Sequence, residues 1–278
     1  MYKNEIIIIK KQSDSMDGLS LKLIDINGQT IHEAKSAEQV YLIHNAVYVE
    51  GDEILFEPGK SGFYEVRFED SMPAAIVYVK DTASFKIPCG DKRMAYSPKS
   101  FAGEIHLISA RQVSQEEYSL RRNLAFNPYD QMGDNTGMYP HASANIETRG
   151  ESVFAARNVI DGIYANHCHG KYPFQSWGIN RRSDAELKVE IGIPAVVDEL
   201  VLTLRADFPH DSYWTKATAV FTDGSSETLV LKKMPLPQSF RIKPRTAEGV
   251  MLKDLIKAND ESPFPALTQF EIWGKIIQ

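Results

Sequence analysis

Apolar and polar positions alternate with a period of two along most of this chain. In "LSLKLIDI", Leu19, Leu21 and Leu23 alternate with Ser20, Lys22 and Ile24, the signature of a strand with one buried face. "QVYLIHNAVYVEGDEILFEP" reads as strand, Gly-Asp turn, strand. "GFYEVRFED" and "AAIVYVKD" follow, parted at Ser71-Met72-Pro73 because proline has no N–H with which to continue a central ladder. "ASFKIP" and "GEIHLISARQV" complete a set of about eight short strands at turn-punctuated spacing. The spacing predicts a β-sandwich or jelly roll.

The pattern then changes. "SQEEYSLRRNL", from Ser114 to Leu124, is a charged connector with helical character, and "AFNPYDQMGDNTGMYP" is rich in turn residues. A boundary near Arg121 divides the chain into residues 1–120 and 121–278. Strands resume with "AELKVEIG", where Leu187, Val189 and Ile191 alternate, and "DELVLTLRAD", which sets Leu200, Leu202 and Leu204 against Val201, Thr203 and Arg205. "KATAVFTDGSSETLVLKK" is a hairpin about Asp223-Gly224. "QSFRIKP" and "TQFEIWGKI" end the chain as strands, and only "SVFAARNVID" and "GVMLKDLIKAND" carry helical spacing. The expected fold is all-β, with two consecutive β-sandwich (jelly-roll-like) domains.

Composition narrows the function classes. Of the 278 residues, 43% are hydrophobic and 24% charged, enough apolar surface to bury a substantial core. A net charge of −6 without a basic block argues against a nucleic-acid partner. The early apolar run "EIIIIKK" is too short for a bilayer span or a signal core. No membrane partner is expected, and the location is expected to be cytoplasmic, or secreted if a leader has been removed. Cys89 and Cys168 form no CxxC pair and are read as free thiols.

Several stretches of the second half fall in a familiar order: "RNLA", "ASAN", "AARNVIDG", "SWGINRRSDAELKVEIG", "VDELVLTLRADF", the "FTDGS" hairpin and a terminal "FEIWG". From roughly Asn123 to Lys275 the chain resembles the galactose-binding-like, discoidin-type β-sandwich. Residues 1 to about 115 carry no such resemblance. The resemblance implies a non-catalytic binding domain, most often for carbohydrate, whose ligand contacts lie on loops at one end of the sandwich. It also implies a structural calcium, held by the loop at the "DG" turn and a glutamate on the last strand. The matching positions are Asp161 and Glu271, and carboxylates suit a hard cation. The chain departs from the family in one place, where the run between "DG" and the tryptophan lengthens to "IYANHCHGKYPFQS".

That inserted run, "MYPHASAN" and "RADFPHDSYW" hold the chemistry-bearing side chains. Sugar recognition needs an aromatic face for the C–H side of a pyranose and directional donors and acceptors for its hydroxyls. The candidates are His141, His167, His169, Tyr172, Arg181, Arg205, Asp207, His210 and Trp214, with Trp214 or Tyr172 as the stacking platform. Arg205 and Asp207 share strand parity and project to one side. Trp177 and Trp273 are read as core.

Three alternatives stand beside this reading. His167 and His169, with His141 or His210, form a zinc set, although zinc is favoured less than calcium. The same His, Arg and Asp cluster suits a carbohydrate-active lyase or hydrolase, with Asp207 and Asp211 as paired carboxylates. A protein-interaction module, with the first half as docking or dimerisation partner, is the third. Cys168 is read as incidental, because neighbours on an extended chain point opposite ways. The sequence leaves the sugar and the oligomeric state open.

Overall fold

The computed structural model describes residues 18–133, 135–168, 170–207 and 211–277. Among the described residues, eight strands fill the first half: β1 (Leu19–Ile24), β2 (Thr30–Ser36), β3 (Gln39–His44), β4 (Glu53–Glu57), β5 (Gly62–Arg67), β6 (Ala75–Val79), β7 (Ala83–Lys86) and β8 (His106–Gln112). Nine follow: β9 (Arg122–Asn123), β10 (Met138–Tyr139), β11 (His141–Ala144), β12 (Trp177–Gly178), β13 (Leu187–Leu204), β14 (Trp214–Phe221), β15 (Ser226–Val230), β16 (Gln238–Lys257) and β17 (Ala266–Ile276). Between the halves, Ser114 caps a single helical turn, α1 (Gln115–Tyr118), through a reciprocal capping box with Glu117. The protein is all-β, as the alternation predicts.

The first half packs two antiparallel sheets face to face, in the orders β2-β1-β4-β7 and β10-β6-β5-β8-β3. Leu21, Leu23, Ile54, Phe56, Val66, Val77 and Phe85 are buried among them. The predicted strands are present, and β2 is a further strand that the alternation does not predict. It is an edge strand whose residues are exposed or half-buried, so no core-facing period marks it.

The halves interlock. β10, which follows the predicted boundary, adds an edge strand to the first half by pairing Met138 with Val79 and Tyr139 with Tyr78. Gly137 permits this approach: its φ is 91°, and a Cβ there would lie 2.0 Å from the Thr82 carbonyl oxygen. Tyr129, Phe154 and Phe174 join the first hydrophobic cluster, while Phe63 and Val113 join the second.

In the second half, the two predicted strands "AELKVEIG" and "DELVLTLRAD" are one 18-residue strand, β13. It changes partner at its middle: Leu187–Glu190 pair with β11, and Ala195–Leu204 pair with β17. On its other side β13 pairs with β16 along both parts, from Leu187 to Leu202. Most of the segment "GVMLKDLIKAND", predicted helical, belongs to β16, which runs to Lys257. Three residues of β14, from Lys216 to Thr218, oppose four of β16, from Lys253 to Ile256, and Asp254 has φ 49°. This bulge shifts burial from Leu252 to Leu255, a three-residue step that imitates helical spacing. "SVFAARNVID" forms short 3-10 turns rather than an α-helix.

Candidate functional site

Two loops that the sequence places far apart are tied together by one side chain. Arg205 leaves the end of β13 and is fully buried, 0% exposed. Its Nη1 donates to the Phe174 carbonyl, its Nη2 to the Cys168 carbonyl at 3.2 Å and its Nε to Asp207 Oδ1 at 3.3 Å. The inserted run is thus anchored over the outer face of β13. Val201, Thr203 and Arg205 are buried like the leucines between them, so this end of β13 is covered on both faces. Burial pulls the guanidinium pKa down and pushes that of the half-buried Asp207 up. Arg205 is an organiser of the loop, not a ligand contact as its position at a strand end predicts.

Trp214 is also corrected. It is 1% exposed and packs 6.2 Å, centroid to centroid, from Trp177 inside the core. Neither of its faces is open to a sugar. His141 is buried on β11, where its Nδ1 donates to Asp130 Oδ1 at 2.7 Å and the Ala142 amide donates to Oδ2. It holds a turn rather than lining a surface. His167 is exposed on the inserted run, its backbone amide donating to the Pro173 carbonyl at 2.8 Å. His169 and His210 lie outside the described residues.

Tyr172 remains as an accessible aromatic. It is half-buried and lines a cleft of about 210 Å³ whose walls come from both halves of the chain. Ser71, Met72 and Pro73 enter from the β5–β6 turn, Tyr96, Ser97 and Ser100 from the segment before β8, and Asp161, Gly162 and Ile163 from the "DG" turn. The lining therefore combines aromatic and aliphatic faces with hydroxyls, the mixture a small polar ligand requires. Beneath it Arg157 stacks 4.6 Å from the Tyr96 ring centroid and donates to the Asp130 and Pro128 carbonyls. The first-half residues of this cleft were not singled out from sequence, because nothing local marks a serine or a Met-Pro turn as ligand-facing. The approach of the two halves creates that role.

Arg181 lies elsewhere. It lines a second cleft of about 150 Å³ and stacks 4.4 Å from the Phe264 ring centroid. The nine predicted ligand residues therefore do not form one cluster among the described positions.

The predicted calcium ligands have other partners. Asp161 is buried, and its carboxylate accepts from the Ile163 amide and from the side-chain amides of Gln269 and Gln175. Burial raises its pKa to about 6. Glu271 instead accepts from Trp273 Nε1 at 2.8 Å. Gln269, two residues earlier on β17, takes the place beside Asp161 expected of the glutamate. Calcium needs a shell of about six to eight oxygens, and here an amide nitrogen stands at the centre of the oxygens. The residues as arranged do not fit the ion. Among the described residues no three His, Cys, Asp or Glu side chains gather as a zinc set requires. Cys89 and Cys168 are both free thiols.

No protein-family model and no curated protein matches the chain. Among solved structures, it is similar to chitosan-binding module 1 of a chitosanase/glucanase from Paenibacillus sp. IK-5, at 18% identity and TM-score 0.39, covering 55% of this chain and 99% of that one. It is also similar to a family 32 carbohydrate-binding module from C. perfringens NanJ, at 18% identity and TM-score 0.37, covering 48% and 91%. A Streptococcus pneumoniae fucose-binding module is similar at 10% identity and TM-score 0.40, covering 56% and 96%.

Proposed function

We propose that this chain is a non-catalytic carbohydrate-binding protein, and that a single sugar residue docks in the cleft beside Tyr172. The observation that carries this reading is the cleft itself. One accessible aromatic faces a pocket lined by hydroxyls and small apolar groups, at the loop that the discoidin-type resemblance marks as enlarged. Stacking on Tyr172 supplies the apolar contact, while the accessible hydroxyls of Ser71 and Ser97 are placed to bond sugar hydroxyls. The buried Ser100 hydroxyl lies 2.8 Å from that of Ser71, so the position of Ser71 is set before any ligand arrives. The division into residues 1–120 and 121–278 enters this proposal as two domains that share the walls of one site.

A glycan array followed by titration calorimetry tests the proposal. The panel includes galactose, fucose and chitosan oligosaccharides, the sugars named for the three similar modules. Saturable binding to at least one glycan is expected. Absence of binding to every mono- and oligosaccharide at millimolar concentration rejects it.

A further inference from the structure

Four oxygens converge on one nitrogen at the base of the "DG" turn. Gln269 Nε2 lies 2.8 Å from the Asn158 carbonyl, 2.8 Å from Asp161 Oδ1, 2.7 Å from the Thr268 carbonyl and 3.3 Å from the Ile163 carbonyl. A primary amide has two hydrogens to give, so the cage offers more acceptors than its occupant can satisfy. Such a surplus of hard oxygens around one point is the environment that suits a small cation.

The orientation of the amide is fixed from its other end. Gln269 Oε1 accepts from the Gly162 backbone amide at 3.0 Å. Turning the side chain over would set an NH₂ against that N–H and leave an oxygen facing four oxygens. The glutamine side chain is buried, and its nitrogen occupies the cavity an ion would need.

We propose that the Gln269 side-chain amide stands in place of a cation, so that this chain folds its "DG" loop without calcium, and that a carboxylate at this position would convert the cage into a divalent-cation site. Gln269→Glu exchanges two donors for two acceptors and adds a negative charge beside Asp161. Without an ion, five oxygens then repel one another in a buried space. With one, the carboxylates and three carbonyls supply a hard-oxygen shell.

The test compares chelator-treated full-length protein with and without millimolar calcium chloride, read by melting temperature and by elemental analysis of the protein as purified. The wild type is expected to show the same melting temperature in both conditions and to carry no stoichiometric calcium. Gln269→Glu is expected to melt lower than wild type in chelator and to regain the difference with calcium. Gln269→Met keeps the length without the donors, and is expected to melt lower than wild type in both conditions. Calcium near one per wild-type chain, or a wild-type melting temperature that rises with calcium, overturns the proposal. So does a Gln269→Met variant as stable as wild type, and this arm decides the matter if Gln269→Glu fails to fold.

Discussion

Arg205 Nη2 lies 3.2 Å from the carbonyl oxygen of Cys168, a residue 37 positions earlier in the chain. The same guanidinium reaches Phe174 and Asp207, so one buried cation fixes the course of the inserted loop. The loop in turn carries Tyr172 to the cleft. The position of Tyr172 therefore depends on a side chain with no exposed surface.

Arg205→Ala is expected to destabilise the protein by about 2–4 kcal/mol, because it leaves two carbonyls and a carboxylate without their donors in a buried place. Arg205→Lys is expected to recover only part of the loss, since an ammonium cannot span the three acceptors as a planar fork does. Urea unfolding of the three proteins checks this. A surface-like cost below about 0.5 kcal/mol for Arg205→Ala contradicts it.

Trp214→Ala is expected to lower stability by about 3–5 kcal/mol through the cavity left beside Trp177. Any loss of sugar binding should follow the loss of fold. Trp214→Phe is expected to cost less, because the indole Nε1 has no hydrogen-bond partner among the described residues. Denaturation curves with parallel binding titrations separate this from a stacking role, in which Trp214→Phe would keep the fold and abolish binding.

The first half carries a pH-dependent stability. His44 is buried with its ring 5.0 Å from Tyr48 and 5.9 Å from His106. Burial first, then the neighbouring His32 and His106, hold its pKa below the ordinary 6.5. The unfolded chain therefore takes up a proton that the folded one refuses. The contribution is present above pH 6.5 and is lost as pH falls below it. Unfolding free energy is expected to fall between about pH 7 and pH 5, and His44→Phe is expected to flatten that part of the profile. An unchanged slope in the variant refutes the assignment.

Tyr172→Ala is expected to weaken glycan binding by roughly tenfold or more, the loss of one stacking face. It should leave the melting temperature within a few degrees of wild type, because the ring is only half-buried. Calorimetry on the glycan that binds wild type reads the first, and thermal unfolding the second. A variant that binds as wild type does removes Tyr172 from the site.

Alternation made most of the fold legible. Leu19, Leu21 and Leu23 are buried as the period predicts, as are Leu187, Val189 and Ile191. The Asp223-Gly224 hairpin forms as the dipeptide demands. The pattern failed where local geometry breaks the period, at the bulge near Asp254 and at the exposed edge strand β2. The candidate site was less legible. A charged or aromatic residue at a strand end reads as exposed unless another loop is known to cover it, and Arg205 and Trp214 are both covered by structure remote in sequence. Gln269 was hidden for a related reason. Three of its four acceptors are oxygens of the backbone, whose convergence leaves no mark on residue identity.

The most direct test of the central claim is a nuclear magnetic resonance titration of ¹⁵N-labelled protein with the glycan that calorimetry selects. Chemical-shift changes are predicted to concentrate on the walls of the cleft, at Tyr172, Gly162 and Ile163 from one half and Ser71, Ser97 and Ser100 from the other. Changes centred instead on Arg181 and Phe264, or spread without saturation, would contradict the account.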